Sequence, residues 1–257
     1  MKPTHLILSA VACCSMWLPS PAQDNYSLWP RRPEELEQAR QLISQQKWGE
    51  AVYLLQPFIC DDGVTGAEAR KMVGRVNVVR YLTRMHPHTS VYVVKRGDTL
   101  PRISAATKCP VDSLMLYNGL IAPSDLKIGQ KLVYINMKLR VEIYPQLNEL
   151  TVWDEDILVA SYKIQSHKGI DVKANSARED RIMSKESYLQ GKKVPESSAL
   201  SVSADKLLRL TGGCVISGKP SAGNQCICLE QKDINELAML VREPNTVLWQ
   251  NDLSAKK

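Results

Sequence analysis

The chain has 257 residues, of which 44% are hydrophobic and 23% charged, with a net charge of +6 at pH 7. This length accommodates two or three small domains, and the composition excludes a disordered, collagenous or fully coiled-coil chain. The mild basicity suits an anionic polymer or simple solubility, and no dense Lys/Arg run or basic–aromatic interleaving points to nucleic acid.

Residues 1–22 read as an export signal: Lys2, a short apolar stretch from Leu6 to Leu18, and the small residues of Ser20-Pro21-Ala22. Neither Cys13 nor Cys14 has the leucine-led context of a lipid anchor, so an exported protein of the periplasm or cell envelope is favoured over a lipoprotein. No other segment approaches about 20 consecutive apolar residues, so no transmembrane helix is expected. Of seven cysteines, Cys60, Cys109, Cys214, Cys226 and Cys228 lie beyond the signal. That number is odd, so disulfides within one chain cannot pair them all.

Residues 23–88 read as a helical module. Leu36, Ala39, Leu42 and Ile43 recur at helical spacing, Lys47-Trp48-Gly49 interrupts, and Ala51 to Phe58 resumes until Pro57 limits the length. A third helix is predicted after Gly66 with Ala69, Met72, Val76 and Val79 on one face. The Lys47–Ala51 passage resembles the turn of a tetratricopeptide-type pair, and a packing module or a protein-docking surface are its two readings. His86 and His88 have no third ligand nearby and read as linker, so no metal is expected, nor any cofactor.

Residues 91–135 read as strand, helix, helix, strand. Val91 to Val94 is β-branched and aromatic, Thr99 can cap a helix through Ile103, Asn118-Gly119 stops a second helix, and Lys131 to Ile135 closes. Gly97-Asp98-Thr99-Leu100, Ile103, Leu114, Asn118 and Leu126 to Leu132 make this segment resemble the LysM domain. The resemblance implies binding of N-acetylglucosamine-containing glycan. It places Gly97, Asp98, Thr99 and Leu100 on one side of a groove and Asn118, Gly119, Leu120 and Ile121 on the other. The chemistry is plausible independently, because an N-acetyl group needs backbone N–H and C=O partners and an apolar seat for its methyl.

Residues 138–251 read as mostly β. Leu139, Val141 and Ile143 alternate, and a hairpin turns through Asp154-Glu155-Asp156. Residues 165–200 are polar and aperiodic, and predict a long irregular insertion or flap. Strands at Leu207–Leu210 and Cys214–Ile216, a helix from Lys232 to Val241 and a strand at Thr246–Trp249 complete the order. Ile216-Ser217-Gly218, Gly223 to Leu229, Asp233 and Asn245-Thr246-Val247 resemble the ending of an L,D-transpeptidase domain. That resemblance puts Cys226 at the nucleophile position, with Ser217 and Asn224 where the family has histidines and Cys228 where it has arginine. A thiol without a base stays mostly protonated at neutral pH, and losing general-base help costs about 10²–10⁴-fold. Cys226 and Cys228 are read as facing opposite ways and as poor partners for each other.

The expected architecture is therefore α+β and multidomain: a helical hairpin module, a βααβ LysM domain and a mostly-β, L,D-transpeptidase-like domain. The expected function is peptidoglycan binding with a retired catalytic domain. The alternative is an active cysteine L,D-transpeptidase using Cys226. Peptidoglycan is preferred over chitin because the second domain resembles a wall-crosslinking family.

Overall fold

Helix α1 (Pro33–Ser44) carries Glu34 and Glu35 in its first turn, where the helix dipole favours negative charge. Helix α2 (Trp48–Leu55) gives way to a 3-10 turn, Gln56–Phe58, because Pro57 cannot continue the hydrogen-bond ladder. Helix α3 (Val64–Leu82) is buried along most of its length and on more than one side. One side meets Ala39, Leu55 and Phe58; the other meets Trp153 and Leu158 of the sheet described below. This two-sided burial explains why its sequence shows no single apolar stripe. Val79, expected on the buried face, is exposed. The computed structural model describes residues 33–83, 86–171, 178–195, 204–220 and 224–253. The expected export signal, with Cys13 and Cys14, lies outside the described residues.

Polar ties fasten α3 to the sheet. The fully buried Arg70 guanidinium donates from Nε and Nη2 to the two Glu149 carboxylate oxygens (2.8 and 2.5 Å) and from Nη1 to the Ile59 carbonyl (3.0 Å). Asn77 Nδ2 donates to the Leu158 carbonyl (2.7 Å), and the Tyr81 hydroxyl to Asp154 (2.9 Å).

Next come β1 (Thr89–Val93), α4 (Leu100–Thr107), α5 (Val111–Asn118) and β2 (Lys131–Ile135). Strands β1 and β2 pair antiparallel, with Val91 opposite Val133. This unit is not a separate bead. Leu100, Leu114, Leu132 and Ile135 share one core with Val78 and Tyr81 of α3 and with the C-terminal sheet. The Tyr117 hydroxyl donates to the Tyr81 carbonyl, the Ser113 hydroxyl to the Met239 carbonyl (2.7 Å), and the Lys185 ammonium to the Asp112 carboxylate.

The remaining chain forms β3 (Leu139–Tyr144), β4 (Glu149–Asp154), β5 (Ile157–Lys163), β6 (Ser166–Lys168), β7 (Arg178–Leu189), β8 (Lys192–Val194), β9 (Asp205–Leu210), β10 (Cys214–Ser217), β11 (Gln225–Cys228), α6 (Gln231–Leu240) and β12 (Thr246–Trp249). The sheet order is β5-β4-β3-β12-β7-β9-β10-β11-β6, with β8 added to β7. Strands β5 and β6 stand at opposite ends of that order, yet only Ile164-Gln165 joins them. Their amides donate to Asn148 on one side and Cys228 on the other (2.8 Å each), so the sheet curls back toward itself. Leu150, Val152, Leu208, Ile227 and Leu237 fill the space it encloses.

The irregular insertion expected over 165–200 is corrected in large part. It contains β6, β8 and the twelve-residue β7, which lies in mid-sheet. Its polarity masks it because two of its carboxylates, Asp180 and Glu186, are matched by groups on neighbouring strands, while Glu179 and Arg181 stay exposed. Asp180 accepts from Trp249 Nε1 (2.8 Å), and Glu186 pairs with Lys193 (3.0 Å) and Arg209 (3.2 Å). Residues 172–177 and 196–203, the latter including Ser197-Ser198, lie outside the described residues. The β3 alternation is also overridden: Glu142, between Arg140 (2.8 Å) and the Tyr144 hydroxyl (2.5 Å), is as buried as its apolar neighbours.

Candidate functional site

Two loops leave the same end of the β1–β2 hairpin. The first runs from Val94 to Thr99 and the second from Gly119 to Gln130. Val94 joins them, donating to the Gln130 carbonyl (3.0 Å) and accepting from the Gly129 amide (2.8 Å).

The first loop is held by Asp98. Its carboxylate accepts from the Tyr92 hydroxyl (2.9 Å) and the Lys95 amide (2.7 Å). Thr99 caps α4, accepting from the Arg102 amide (3.4 Å), and the Arg102 guanidinium donates to the Gly97 carbonyl (2.9 Å). Gly97 has φ +85°, a left-handed conformation that a side chain would strain. Among the described residues, the amides of the exposed Gly97 and Thr99 have no hydrogen-bond acceptor.

The second loop has the complementary character. Gly119 closes α5 with φ +62°, and its amide donates back into the helix. The Leu120 amide donates to the Met115 carbonyl (3.0 Å), and the Ile121 and Ala122 amides both donate to Asp125 Oδ2 (2.8 Å each). Those two donors hold the Asp125 carboxyl below its usual range. With these amides consumed, the loop is left with carbonyls: among the described residues those of Gly119, Leu120 and Ile121 accept no hydrogen bond, and Gly119 and Ile121 are exposed. Ile121 (69%) and Ile128 (71%) are strongly exposed aliphatic side chains. One loop thus offers donors, and the other offers acceptors and apolar seats. That combination can engage both ends of an N-acetyl amide and its methyl group.

Three of the expected glycan-contacting side chains are corrected. Leu100 (1% exposed) and Leu120 (8%) point into the core rather than a groove. Asn118 is occupied: its Nδ2 donates to the Leu114 and Val133 carbonyls, and its Oδ1 accepts from the Val133 amide (2.8 Å each). It pins α5 to β2. The residues the sequence reading missed are Ile128 and Asp125. Asp125 follows Ala122 at the spacing by which a carboxylate reaches back to preceding amides, and that signal was available.

Residues 92–134 match the LysM domain. LysM domains bind peptidoglycan and other N-acetylglucosamine-containing glycans, and this stretch contains both loops. An uncharacterized lipoprotein of Escherichia coli (strain K12), YgeR, is 54% identical over 43 residues. That likeness spans 17% of this chain and 17% of the relative's length. Among the described residues, no helix is long and apolar enough to cross a membrane, and no His, Cys, Asp and Glu cluster is arranged to hold a metal ion.

The other expected site lies outside the LysM match. Cys226 sits on β11 between β10 and β6, and is 4% exposed. Its register neighbours are Val215 and Lys168. His167 pairs opposite Ile227, one residue on, so it shares the Ile227 face and not that of Cys226. Ser217 lies opposite Cys228, and its hydroxyl donates to the Lys219 carbonyl (2.5 Å). Asn224 is exposed just before β11, while Gly223 lies outside the described residues. Among the described residues, Cys226 has no hydrogen-bonded base. Cys226 and Cys228 are two apart on one strand and therefore face the same way, which corrects the expectation of opposite faces. All five described cysteines are free thiols. Burial pushes the Cys109 and Cys214 thiols up to about 12.

Proposed function

We propose that this chain is an exported, envelope-associated protein that binds peptidoglycan through its LysM loops. In this reading the curled C-terminal sheet, like a transpeptidase domain without its base, is a non-catalytic mount. The observation that carries it is the pairing of an unengaged donor loop with an acceptor loop flanked by Ile121 and Ile128, inside the stretch matching LysM. The lipoprotein nature of the Escherichia coli relative supports an envelope location. The burial of Cys226 and the turning of His167 to the other face support the non-catalytic assignment. The packing of α3 on both β5 and the LysM unit supports a mounting role for the N-terminal helices over a separate protein-docking role.

Titration of the full chain with N-acetylglucosamine oligomers tests the reading. Saturable binding should weaken at least about tenfold in Ile121→Asp, since a charge in place of the apolar seat costs on the order of 1.4 kcal/mol or more. Equal binding by the wild type and this variant would move the glycan site elsewhere.

A further inference from the structure

A second cleft lies away from the LysM loops, between α3, β5 and the first turns of α6. Its volume is about 760 Å³, within the range of small-ligand sites. Helix α3 and β5 touch at Gly74, where a Cβ would come within 2.8 Å of the Ser161 nitrogen. Helix α6 forms the far wall, so the cleft opens above that contact over an apolar floor that includes Ala160.

The walls carry opposite net charges. Lys71, Arg75 and Lys163 with Glu68 line the α3–β5 side, and Glu230, Asp233 and Glu236 with Lys232 line the α6 side. Lys71 pairs with Glu68 (4.0 Å) and Lys232 with Glu230 (2.7 Å) on their own walls, which leaves Arg75 and Lys163 facing Asp233 and Glu236. The strongest attraction on the Asp233 carboxyl is Lys232 of its own helix, and on Glu236 it is the Tyr162 hydroxyl; Arg75 lowers the proton affinity of both from across the cleft, yet forms no ion pair with either. Among the described residues, Arg75, Lys163 and Asp233 have no side-chain partner. Glu236 is aimed by the Tyr162 hydroxyl, which donates to Oε1 (2.9 Å). Burial outweighs these attractions and raises both carboxyls above their usual range. The two carboxyls are therefore partly desolvated with no ion pair across the cleft to compensate them, while Arg75 and Lys163 stay exposed at its mouth.

A simple anion entering this space would meet Asp233 and Glu236, and a simple cation would meet Arg75 and Lys163. Only a ligand bearing both charges compensates both walls. We infer that this cleft binds a short peptide carrying a free ammonium group and carboxylates, its apolar middle lying over the floor. Resting on the wall-binding reading, we assign as its source the tetrapeptide branch of peptidoglycan. One chain would then engage both glycan and peptide of the same polymer, and two weak sites would gain avidity.

Calorimetric titration of the full chain tests this with three probes: the wall tetrapeptide with its diamino-acid amine free, the same peptide N-acetylated at that amine, and an N-acetylglucosamine oligomer. The free tetrapeptide should bind saturably. Acetylation, Arg75→Ala and Asp233→Asn should each weaken it by about tenfold or more. Oligomer binding should be unchanged in both variants, which reports that they are folded and reads the LysM site separately. Absence of saturable tetrapeptide binding, or wild-type affinity in both variants, would overturn the assignment whether or not the oligomer binds. An all-L tetrapeptide of the same charges that binds while the wall tetrapeptide does not would overturn the assigned source.

Discussion

The LysM loops and the Cys226 strand each carry a family motif in the sequence, the first intact and the second without its histidines, and the fold treats them in opposite ways. The loops sit at the open end of a two-stranded hairpin, with left-handed glycines, unengaged amides and two exposed isoleucines. Cys226 lies within a curled sheet, flanked by β10 and β6, with the nearest histidine turned to the other face. A motif becomes a site only when its chemistry is delivered to solvent and to its partners. Residue identity alone shows neither.

The largest effect that sharpens this contrast is expected at the mount shared by both regions. Arg70→Ala leaves Glu149 buried without its cation, and should cost about 3–5 kcal/mol in urea unfolding. A loss below about 1 kcal/mol would mean that α3 does not brace the sheet. Asn118→Ala strips the Val133 amide and carbonyl of their partners, and should cost about 2–3 kcal/mol. If Asn118 instead contacts glycan directly, its loss would weaken binding without lowering the unfolding midpoint. Asp125→Ala should lower the urea-unfolding midpoint by less than Asn118→Ala does, because the carboxylate caps the loop from solvent. Its pH dependence follows from the sign of the shift. The folded carboxyl lies below its ordinary value of 3.8. The stabilisation is therefore complete above that value and is lost as pH falls through the lower folded value. Oligomer affinity should be flat from pH 7 to pH 5 and should fall only in stronger acid. A decline near pH 6 would implicate a different group.

How much was legible follows the same division. The order of β1, α4, α5 and β2 could be read because caps and stops are local: Thr99, Gly119 and the Lys127–Gln130 turn act on neighbouring residues. Strand β7 could not be read because its stability comes from partners far along the chain, such as Trp249 and Arg209. The loops of the candidate site were found, but not which side chains they expose. Leu100, Leu120 and Ile121 are all aliphatic, and only the shared core separates the first two from the third. The face of His167 is likewise set by the β6–β11 register, which no local signal in the sequence reveals.

The most direct test of the central contrast is one sedimentation experiment on purified sacculi. It would use the wild type, Ile121→Asp and Cys226→Ala, with muropeptides from each pellet read by mass spectrometry. The account predicts that the wild type and Cys226→Ala sediment equally, that Ile121→Asp stays largely in solution, and that no muropeptide change depends on Cys226. A Cys226-dependent crosslink or acyl adduct, or undiminished sedimentation of Ile121→Asp, would contradict it.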